Sequence, residues 1–383
     1  MSRRQAALAL LATVLLAGGA CSQGPPRVSE TELVLGVDAP LTGPQGAQGT
    51  VMVDAVKSVV AGEWKARIED LPVRVAVFDD TANLRRDPAK GEQNLRLMIG
   101  NPRLLGVIGP LNSDVAAAEI PVATGAHLAL ISPSATNPCL TRPAMACGGL
   151  ASEVRTGAGS GFFRVVASDD GQGAALVDYA RAALRLGRIA VGSDSQPSGK
   201  SFADGIEAAA RRHGIAIALR QDIDPTSDQQ ADGFLGLAKT GGAEAIFFGG
   251  DQDGGVCRVR ARMKTVFEPS TPFLGAGGIH GAMCLRDAGT MAGGMFAADA
   301  GSGDLETASR VAARVLLRAI GAAVKRSGGN APSREEVRLA VSRSTMPAFD
   351  ARGDLREQVF TIYRSDAAPA WIPVGPVTVA ERS

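Results

Sequence analysis

The stretch ISPSATNPCLT, residues 131–141, begins as an apolar strand and continues as small residues that carry hydroxyl and amide groups, interrupted by prolines. Three similar apolar runs precede it, and a loop and a helical pattern follow each of them: LVLGVD (33–38), VRVAVFDD (73–80) and LLGVIG (104–109). Short apolar strands that alternate with helices predict a mainly parallel sheet with helices on both faces. This pattern predicts a doubly wound α/β lobe.

The alternation begins again after residue 160 and predicts a second α/β lobe. FFRVVAS (162–168) is expected to open it, and further strands follow: RIAVGSD (188–194), AEAIFFGG (243–250), TPFLGAGG (271–278) and GGMFAADA (293–300). A long amphipathic helix is then predicted over 305–326, with one apolar face made of Val311, Val315, Leu316, Ala319, Ile320 and Ala323. Ser333 and Glu336 predict a capping box for the next helix. The chain closes with three strand-like segments, FDARGDL, VFTIYR and WIPVG.

The N-terminal 21 residues are typical of a lipoprotein signal peptide. Arg3 and Arg4 precede an apolar run that is too short to cross a bilayer, and the segment ends in Gly-Gly-Ala-Cys at Cys21. We expect export, lipidation of Cys21 and a tether over 22–30, which would anchor the protein to the outer face of the cell membrane. Twin-arginine export and ordinary cleavage without a lipid are the alternatives. A net charge of +1 gives no indication of nucleic-acid binding.

Four cysteines remain after Cys21, and an oxidising compartment permits them to form two disulfides. Four cysteines allow three pairings. The pairing between near neighbours is favoured, namely Cys139 with Cys147 and Cys257 with Cys284. A metal site is the alternative, but no two cysteines have C-x-x-C spacing and the chain has only three histidines. We therefore predict two disulfides, with no metal and no cofactor.

The loops that follow the strands are where an open parallel sheet binds its ligand. In the first lobe these loops are rich in hydrogen-bond donors, and Ser113 is expected to be the N-cap of a helix whose start suits a carboxylate. In the second lobe the corresponding loops carry carboxylates, namely Asp169, Asp170, Asp194, Asp251 and Asp253. A donor-rich wall that faces an acidic wall would hold a zwitterion such as an amino acid. The same residues are also common in ordinary turns, so this reading stays open.

Catalysis is not indicated by any motif. No G-x-S-x-G, P-loop or G-x-G-x-x-G follows a strand. His127, His213 and His280 lie in three separate sequence contexts, and only His280 lies in a loop that would face a ligand. We therefore expect a binding protein and not an enzyme.

Six stretches together resemble the periplasmic branched-chain amino acid binding proteins, the type 1 substrate-binding components of ABC importers: LVLGVDAPLTGPQGAQG, GVIGPLNSDVAAAEIP, ISPSATNPCLT, RVVASDDGQG, AIFFGG and FDARGD. The resemblance implies a periplasmic binding protein type I fold with two doubly wound parallel-sheet lobes joined by a three-strand hinge. Lobe 1 would span 31–160 with 300–350, and lobe 2 would span 161–299 with 351–383. The ligand would be held in the cleft by hinge closure.

The resemblance also implies a binding site. The family grips an amino acid carboxylate through loops that correspond here to Ser113 and to Ser134, Ala135 and Thr136. The second half of the site departs from the family, because Gly277 stands where relatives carry an acidic residue, and because Ser198 and Gln48 stand where aromatics are usual. Asp251 is the candidate replacement partner for an ammonium group. These departures favour a larger or more polar ligand.

The sequence therefore predicts a monomeric solute-binding lipoprotein that delivers an amino acid or a related small carboxylate to an ABC permease. A sensory receptor that reports its ligand to a membrane partner is the first alternative. A degenerate scaffold without a ligand is the second alternative, and the departures at Ser198 and Gly277 keep it open.

Overall fold

The computed structural model describes residues 32–142, 160–300, 304–366 and 370–380. The signal peptide, Cys21, the tether and Cys147 lie outside these residues. Within them, the strands form two large sheets and a small ribbon. The first sheet and the ribbon contain β1 (Leu33–Ala39), β2 (Arg67–Ile68), β3 (Leu71–Asp79), β4 (Thr81–Ala82), β5 (Arg85–Arg86), β6 (Leu104–Ile108), β7 (Ala129–Ser132) and β8 (Phe162–Arg164).

The first sheet has the strand order β2-β3-β1-β6-β7-β8, and β4 and β5 pair only with each other. All its pairings are parallel except the one between β2 and β3. All seven residues of β1 are buried, because this strand lies mid-sheet and helices cover both faces. Three helices precede β7: α1 (Gly46–Ser58), which continues as a π-helical segment over Val59–Glu63, α2 (Pro88–Ile99) and α3 (Ser113–Gly125).

The second sheet follows the same plan and adds two antiparallel strands. Its strands are β9 (Arg188–Ser193), β10 (Ala216–Asp222), β11 (Ala245–Gly249), β12 (Phe273–Ala276), β13 (Met295–Ala300), β14 (Glu357–Ser365) and β15 (Trp371–Ala380). The order is β10-β9-β11-β12-β13-β14-β15, and only the pairings of β14 are antiparallel. Its helices are α4 (Asp169–Ala182), α5 (Pro197–His213), α6 (Asp228–Thr240), α7 (Val256–Arg262) and α8 (Ala282–Ala288).

A disulfide joins Cys257 of α7 to Cys284 of α8, as predicted. Both sulfurs lie in the apolar core that α6, α7 and α8 form against one face of the second sheet. The predicted partner pair, Cys139 with Cys147, stays a prediction because Cys147 lies outside the described residues. Short 3₁₀ segments complete the helical elements at Pro138–Leu140, Met263–Thr265, Gly277–Ile279 and Gly289–Met291.

The long amphipathic helix is confirmed as α9 (Leu305–Arg326), and it packs on the first sheet. Its predicted apolar face is buried, apart from the partly buried Val311. The next helix, α10 (Arg334–Ser342), begins with the predicted capping box, in which the Ser333 side chain accepts the Glu336 N–H and the Glu336 carboxylate accepts the Ser333 N–H. Both helices follow β13 in sequence, so the chain returns from the second sheet to the first.

Over the described residues the chain passes three times between the sheets: between β8 and α4, between β13 and α9, and between α10 and β14. Two sequence predictions need correction here. Phe162–Arg164 was expected to open the second sheet, but it pairs with β7 and completes the first. FDARGDL forms a turn closed by an isolated bridge between Phe349 and Leu355, and no strand, because Gly353 has a φ of +92° that breaks the extended backbone.

Candidate functional site

In each sheet the strand that comes first in the chain lies in the interior of the sheet, β1 between β3 and β6 and β9 between β10 and β11. At the point where two neighbouring strands send their loops to opposite faces of the sheet, the loops diverge and leave a crevice at the carboxyl edge. In the first lobe this point lies between β1 and β6. The loops there are joined by a reciprocal amide pair, in which Gln45 Nε2 donates to Asn112 Oδ1 at 3.2 Å and Asn112 Nδ2 donates to Gln45 Oε1 at 3.0 Å.

Ser113 is the first residue of α3 and not its N-cap, which corrects the prediction. Asn112 occupies the N-cap position, but its side chain makes no capping bond, because its amide is paired with Gln45. The Ser113 hydroxyl oxygen instead accepts the N–H of Asn137 at 3.3 Å. The structure therefore brings Ser113 beside the loop that carries Thr136, as the predicted carboxylate site requires.

The loop after β7 has an internal hydrogen-bond network. Ser132 donates its hydroxyl to the Pro110 carbonyl at 2.8 Å and accepts the Ala135 N–H at 2.9 Å. Ser134 donates its hydroxyl to the Leu111 carbonyl at 2.5 Å. Two of the predicted ligand donors, the Ala135 amide and the Ser134 hydroxyl, therefore already have protein partners. Among the described residues the Thr136 hydroxyl has none, so Thr136 and Ser113 are the donors that remain for a ligand.

The second lobe brings its carboxylates to the loops after β9 and β11. Asp194 is 8% exposed and accepts the Gln196 N–H at 3.1 Å. Burial raises the pKa of Asp194, and the nearby charge of Asp251 adds to the rise. Asp251 is exposed, and one of its oxygens accepts the Gly254 N–H at 2.8 Å. Asp251 is therefore the more accessible carboxylate, while Asp194 supports the glycine-rich turn beneath it.

Gly277 has a neighbour that the sequence did not reveal. A Cβ atom placed on Gly277 would lie 2.1 Å from Oδ1 of Asp299, near the end of β13. The next residue, Gly278, lies beside Asp251, with 2.9 Å between its hypothetical Cβ and the Asp251 Cβ. Two aspartates, one on β13 and one in the loop after β11, thus lie beside the glycine pair where an acidic side chain was expected. The only sequence signal for Asp299 was its position near the carboxyl end of a predicted strand.

His280 has protein partners on three sides. Its Nδ1 pairs with Asp299 Oδ2, and its ring stacks on Tyr363 with 3.9 Å between centroids. The Trp371 ring meets it edge-on at 5.2 Å. The imidazole is therefore built into the second lobe, which leaves less of it for the ligand contact that the sequence suggested.

Two predicted residues remain, Gln48 and Ser198. Gln48 is exposed on α1. Ser198 lies in the first turn of α5, and its side chain lies outside what the structure describes. Sequence reasoning missed Gln172, which accepts the Gly277 N–H at 3.0 Å and donates to Asp169 Oδ1 at 3.0 Å.

A buried ion pair holds the crossover segments beside the site. Arg164 Nε donates to Asp354 Oδ1 at 2.7 Å, and both side chains are fully buried. The same guanidinium donates to the carbonyls of Ala135 at 3.2 Å and Asn137 at 2.9 Å. Burial alone would raise the pKa of Asp354, but Arg164 and Arg142 together hold it below its usual value. The donor loop is therefore fixed to the hinge by one charge pair.

A second buried cluster lies under the crevice of the first lobe and contains three carboxyl groups. Asp38, Asp80 and Glu119 are fully buried, and among the described residues no N–H or hydroxyl reaches the side-chain oxygens of Asp80 or Glu119. Glu119 and Asp38 lie beside the same residue, Gly91, and a hydrogen bond between the two carboxyls would need a proton on one of them. Burial raises the pKa of Asp38 to about 6, that of Asp80 to about 7 and that of Glu119 well above its usual value.

We expect the free energy of unfolding to fall as the pH rises from about 4, near the pKa of a carboxyl in the unfolded chain, to about 7, the folded pKa of Asp80. A carboxyl with a raised pKa in the folded state stabilises the fold fully below its unfolded pKa, and this contribution is lost as the pH passes the folded value. Asp80→Asn should remove the part of the pH-dependent loss of unfolding free energy that comes from Asp80. The variant should be more stable than the unchanged protein by roughly 2 kcal/mol at the higher pH, with little difference at the lower pH. Thermal unfolding at both pH values measures this. A gain of equal size at both values, or the same profile from exposed Asp54→Asn, contradicts it.

Comparison with known proteins defines the family. A sequence model of the family described as periplasmic binding protein matches residues 32–315. The chain therefore belongs to the periplasmic binding protein family, whose members are exported solute-binding proteins and not enzymes. Within the described residues, no helix combines the length and apolarity that crossing a bilayer requires.

The relatives point to one branch of that family and confirm the predicted resemblance. The Leu/Ile/Val-binding protein BraC3 of Rhizobium johnstonii is 22% identical over 368 residues, which cover 89% of this chain and 93% of the relative. The Leu/Ile/Val-binding protein homolog 3 of Brucella melitensis is 26% identical over 220 residues, 57% of this chain, and the match spans 54% of that relative, about half its length. An ABC transporter substrate-binding protein from Desulfitobacterium hafniense, solved in complex with Leu, has a TM-score of 0.65 at 18% identity, covers 90% of this chain and 100% of its own, and shows the shared fold.

Proposed function

We propose that this protein is the solute-binding component of an ABC importer and that it binds an amino acid or a related small carboxylate between its lobes. The observation that carries the proposal is the pair of hydroxyls at Ser113 and Thr136. Ser113 begins α3 and Thr136 lies in the loop after β7, both at the carboxyl edge of the first sheet, and neither hydroxyl donates to a protein group among the described residues. The N-terminus of a helix adds unpaired N–H groups and favours an anion.

The second lobe would supply the opposite charge. Asp251 is exposed and lies against Gly278, so an ammonium group held near the glycine pair would meet a carboxylate. Ligand that contacts both lobes stabilises the closed arrangement, and the permease would bind that closed form. The predicted lobes, 31–160 with 300–350 and 161–299 with 351–383, would move as the two closing units, except that β8 (Phe162–Arg164) would move with the first lobe. The names of the relatives support this reading, since they are Leu/Ile/Val-binding proteins and a Leu-bound transporter component.

Attachment to the membrane is part of the proposal. The protein would be exported, lipidated at Cys21 and held at the outer face of the cell membrane by the 22–30 tether. It would act as a monomer beside its permease. Labelling of cells with a radioactive fatty acid tests the anchor, because Cys21→Ala should abolish incorporation while export continues.

We expect Ser113→Ala combined with Thr136→Ala to weaken binding of the ligand by about tenfold or more, because two hydrogen bonds to a carboxylate are lost. A thermal-shift screen with amino acids and small carboxylates identifies the ligand first, since saturation at about 100 times its Kd stabilises the fold by about 2.7 kcal/mol. Calorimetry then compares the two proteins. The control is Thr240→Ala with Ser342→Ala, whose hydroxyls bond only carbonyls of their own helices. Equal affinities for all three proteins would show that the carboxylate is held elsewhere.

Asp251→Asn should weaken ligands that carry an ammonium group and spare carboxylates that lack one, because only the former need a negative partner. Calorimetry with an amino acid and its deaminated analogue separates the two. A loss of equal size for both ligands contradicts the assigned role. A selective loss from Asp299→Asn in place of Asp251→Asn would move the role to the carboxylate beside Gly277.

A further inference from the structure

A cavity of about 370 Å³ lies in the first lobe, where Gln45 of the Gln45–Asn112 amide pair is one of its lining residues. The loop after β1, the β4–β5 ribbon and the start of α3 form its walls. We call it the arginine cavity, and the residues that define it are Thr42, Gln45, Thr81, Arg85, Arg86 and Asp114. The sequence analysis assigned a ligand contact to none of these six residues.

The walls of the arginine cavity are held together by direct contacts. Thr42 donates its hydroxyl to the Asp79 carboxylate at 3.0 Å and also contacts the Thr81 hydroxyl. The ribbon lies directly on the loop, because a Cβ on Gly43 would fall 1.9 Å from the Leu84 carbonyl oxygen. Gly43 has a φ of +74°, which a glycine adopts without strain. The cavity is therefore formed before a ligand arrives.

Two arginines, Arg85 and Arg86, and one aspartate, Asp114, line the arginine cavity. Arg86 is paired with Asp114, with 2.8 Å between Nε and Oδ2. Among the described residues Arg85 has no carboxylate partner, and it is exposed. Asp79 lies behind the wall, where it accepts the Leu41 N–H at 2.9 Å and the hydroxyls of Thr42 and Thr81. One guanidinium thus faces the cavity with no countercharge, beside two threonine hydroxyls.

The position of the cavity relates it to the proposed site. Gln45 lines the cavity and is bonded to Asn112, and Asn112 directly precedes Ser113. Both therefore lie at the point between β1 and β6 where this sheet order opens its crevice. A ligand whose carboxylate is held by Ser113 and Thr136 would reach the arginine cavity with its other end.

We propose that the arginine cavity is a subsite for a second carboxylate, so that the ligand is an acidic amino acid or a dicarboxylate. Arg85 supplies the charge, since a guanidinium binds a carboxylate through two parallel hydrogen bonds. Thr42 and Thr81 line the cavity beside it, but their hydroxyls donate to Asp79, so Arg85 is the donor to the second carboxylate. This inference rests on the proposed function, because the first carboxylate is assigned to Ser113 and Thr136. It accounts for the polar character that Gln48 and Gly277 already indicated for the site.

Calorimetry on the purified protein with ligand pairs of equal length tests the subsite. Glutamate is compared with norvaline, aminoadipate with norleucine, and glutarate with pentanoate. We expect the better-fitting diacid to bind at least about tenfold tighter than its neutral partner. Arg85→Gln should remove that advantage and leave the neutral ligand within about twofold. Arg318→Gln, which changes an exposed arginine on α9, is the matched control and should leave both affinities unchanged.

The outcomes separate this inference from the function on which it rests. Neutral ligands that bind as tightly as the diacids, with no effect of Arg85→Gln, overturn the subsite and leave the solute-binding function standing. An equal loss for both members of a pair in Arg85→Gln also overturns it, because the residue would then act on the fold. No binding by any member, together with no thermal shift from any amino acid or carboxylate, overturns the proposed function and the subsite with it.

Discussion

Asp354→Ala should lower the free energy of unfolding by about 3–5 kcal/mol, because it leaves the fully buried Arg164 without its countercharge. Asp354 also accepts the Thr141 hydroxyl at 2.9 Å and the Arg142 Nε at 3.0 Å, so three donors lose one acceptor group. Chemical unfolding followed by circular dichroism measures the change. The effect should exceed that of any substitution on the protein surface, where losses stay near 0.5 kcal/mol.

The control for this prediction is Asp54→Ala, which removes an exposed carboxylate from α1. A second variant, Asp354→Asn, keeps one acceptor oxygen and should recover part of the loss. Ligand affinity should fall in Asp354→Ala as well, since Arg164 also holds the carbonyls of Ala135 and Asn137 in the donor loop. A change in unfolding free energy below about 1 kcal/mol would show that the ion pair does not hold the hinge.

Arg260→Met should destabilise the second lobe by about 3 kcal/mol or more, although methionine is apolar and the site is buried. The Arg260 guanidinium donates to the carbonyls of Met291 at 2.6 Å, Thr271 at 2.7 Å and Pro269 at 2.8 Å, and it also reaches Gly293. Each buried carbonyl left without a donor costs about 1–3 kcal/mol. Burial lowers the pKa of Arg260 to about 10, so it still carries its charge at neutral pH.

The matched control is Arg258→Met on the same helix, where the side chain is half exposed and lies 3.7 Å from Asp228. Its effect should stay within about 1 kcal/mol, as is usual for an exposed ion pair. Thermal unfolding of the three proteins makes the comparison. Equal midpoints for Arg260→Met and Arg258→Met would show that the four carbonyls find water or other donors, and the buried guanidinium would lose its structural role.

Most of the fold was predictable because its signals are local. The apolar runs at 33–38, 104–109 and 243–250 read directly as buried parallel strands, and the structure has strands within them. The 3.6-residue period over 305–326 defined α9 from end to end. The spacing between Ser333 and Glu336 is enough to specify a capping box, because both partners lie within one helical turn.

The errors and omissions have a common physical cause, because each concerns a contact between segments that are far apart in the chain. Asn112 took the N-cap position from Ser113 because Gln45, far away in the chain, holds its amide. Gly277 was noticed as a missing acid, but the carboxylate beside it belongs to Asp299 on another strand. Phe162–Arg164 was assigned to the wrong sheet because its apolar pattern fits either one.

By itself, the sequence determined the order of strands and helices, the donor-rich loops at the carboxyl edges and the family, since all of these depend on residues that are close together in the chain. The tertiary structure alone decided the side-chain partners. Asp354 follows Arg164 by 190 positions, and no periodicity relates two residues so far apart. The three carboxyls at Asp38, Asp80 and Glu119 likewise share one buried space because a strand, a loop and a helix converge there. Charges and hydrogen bonds act over a few ångströms, so their partners are set by the packing of the elements.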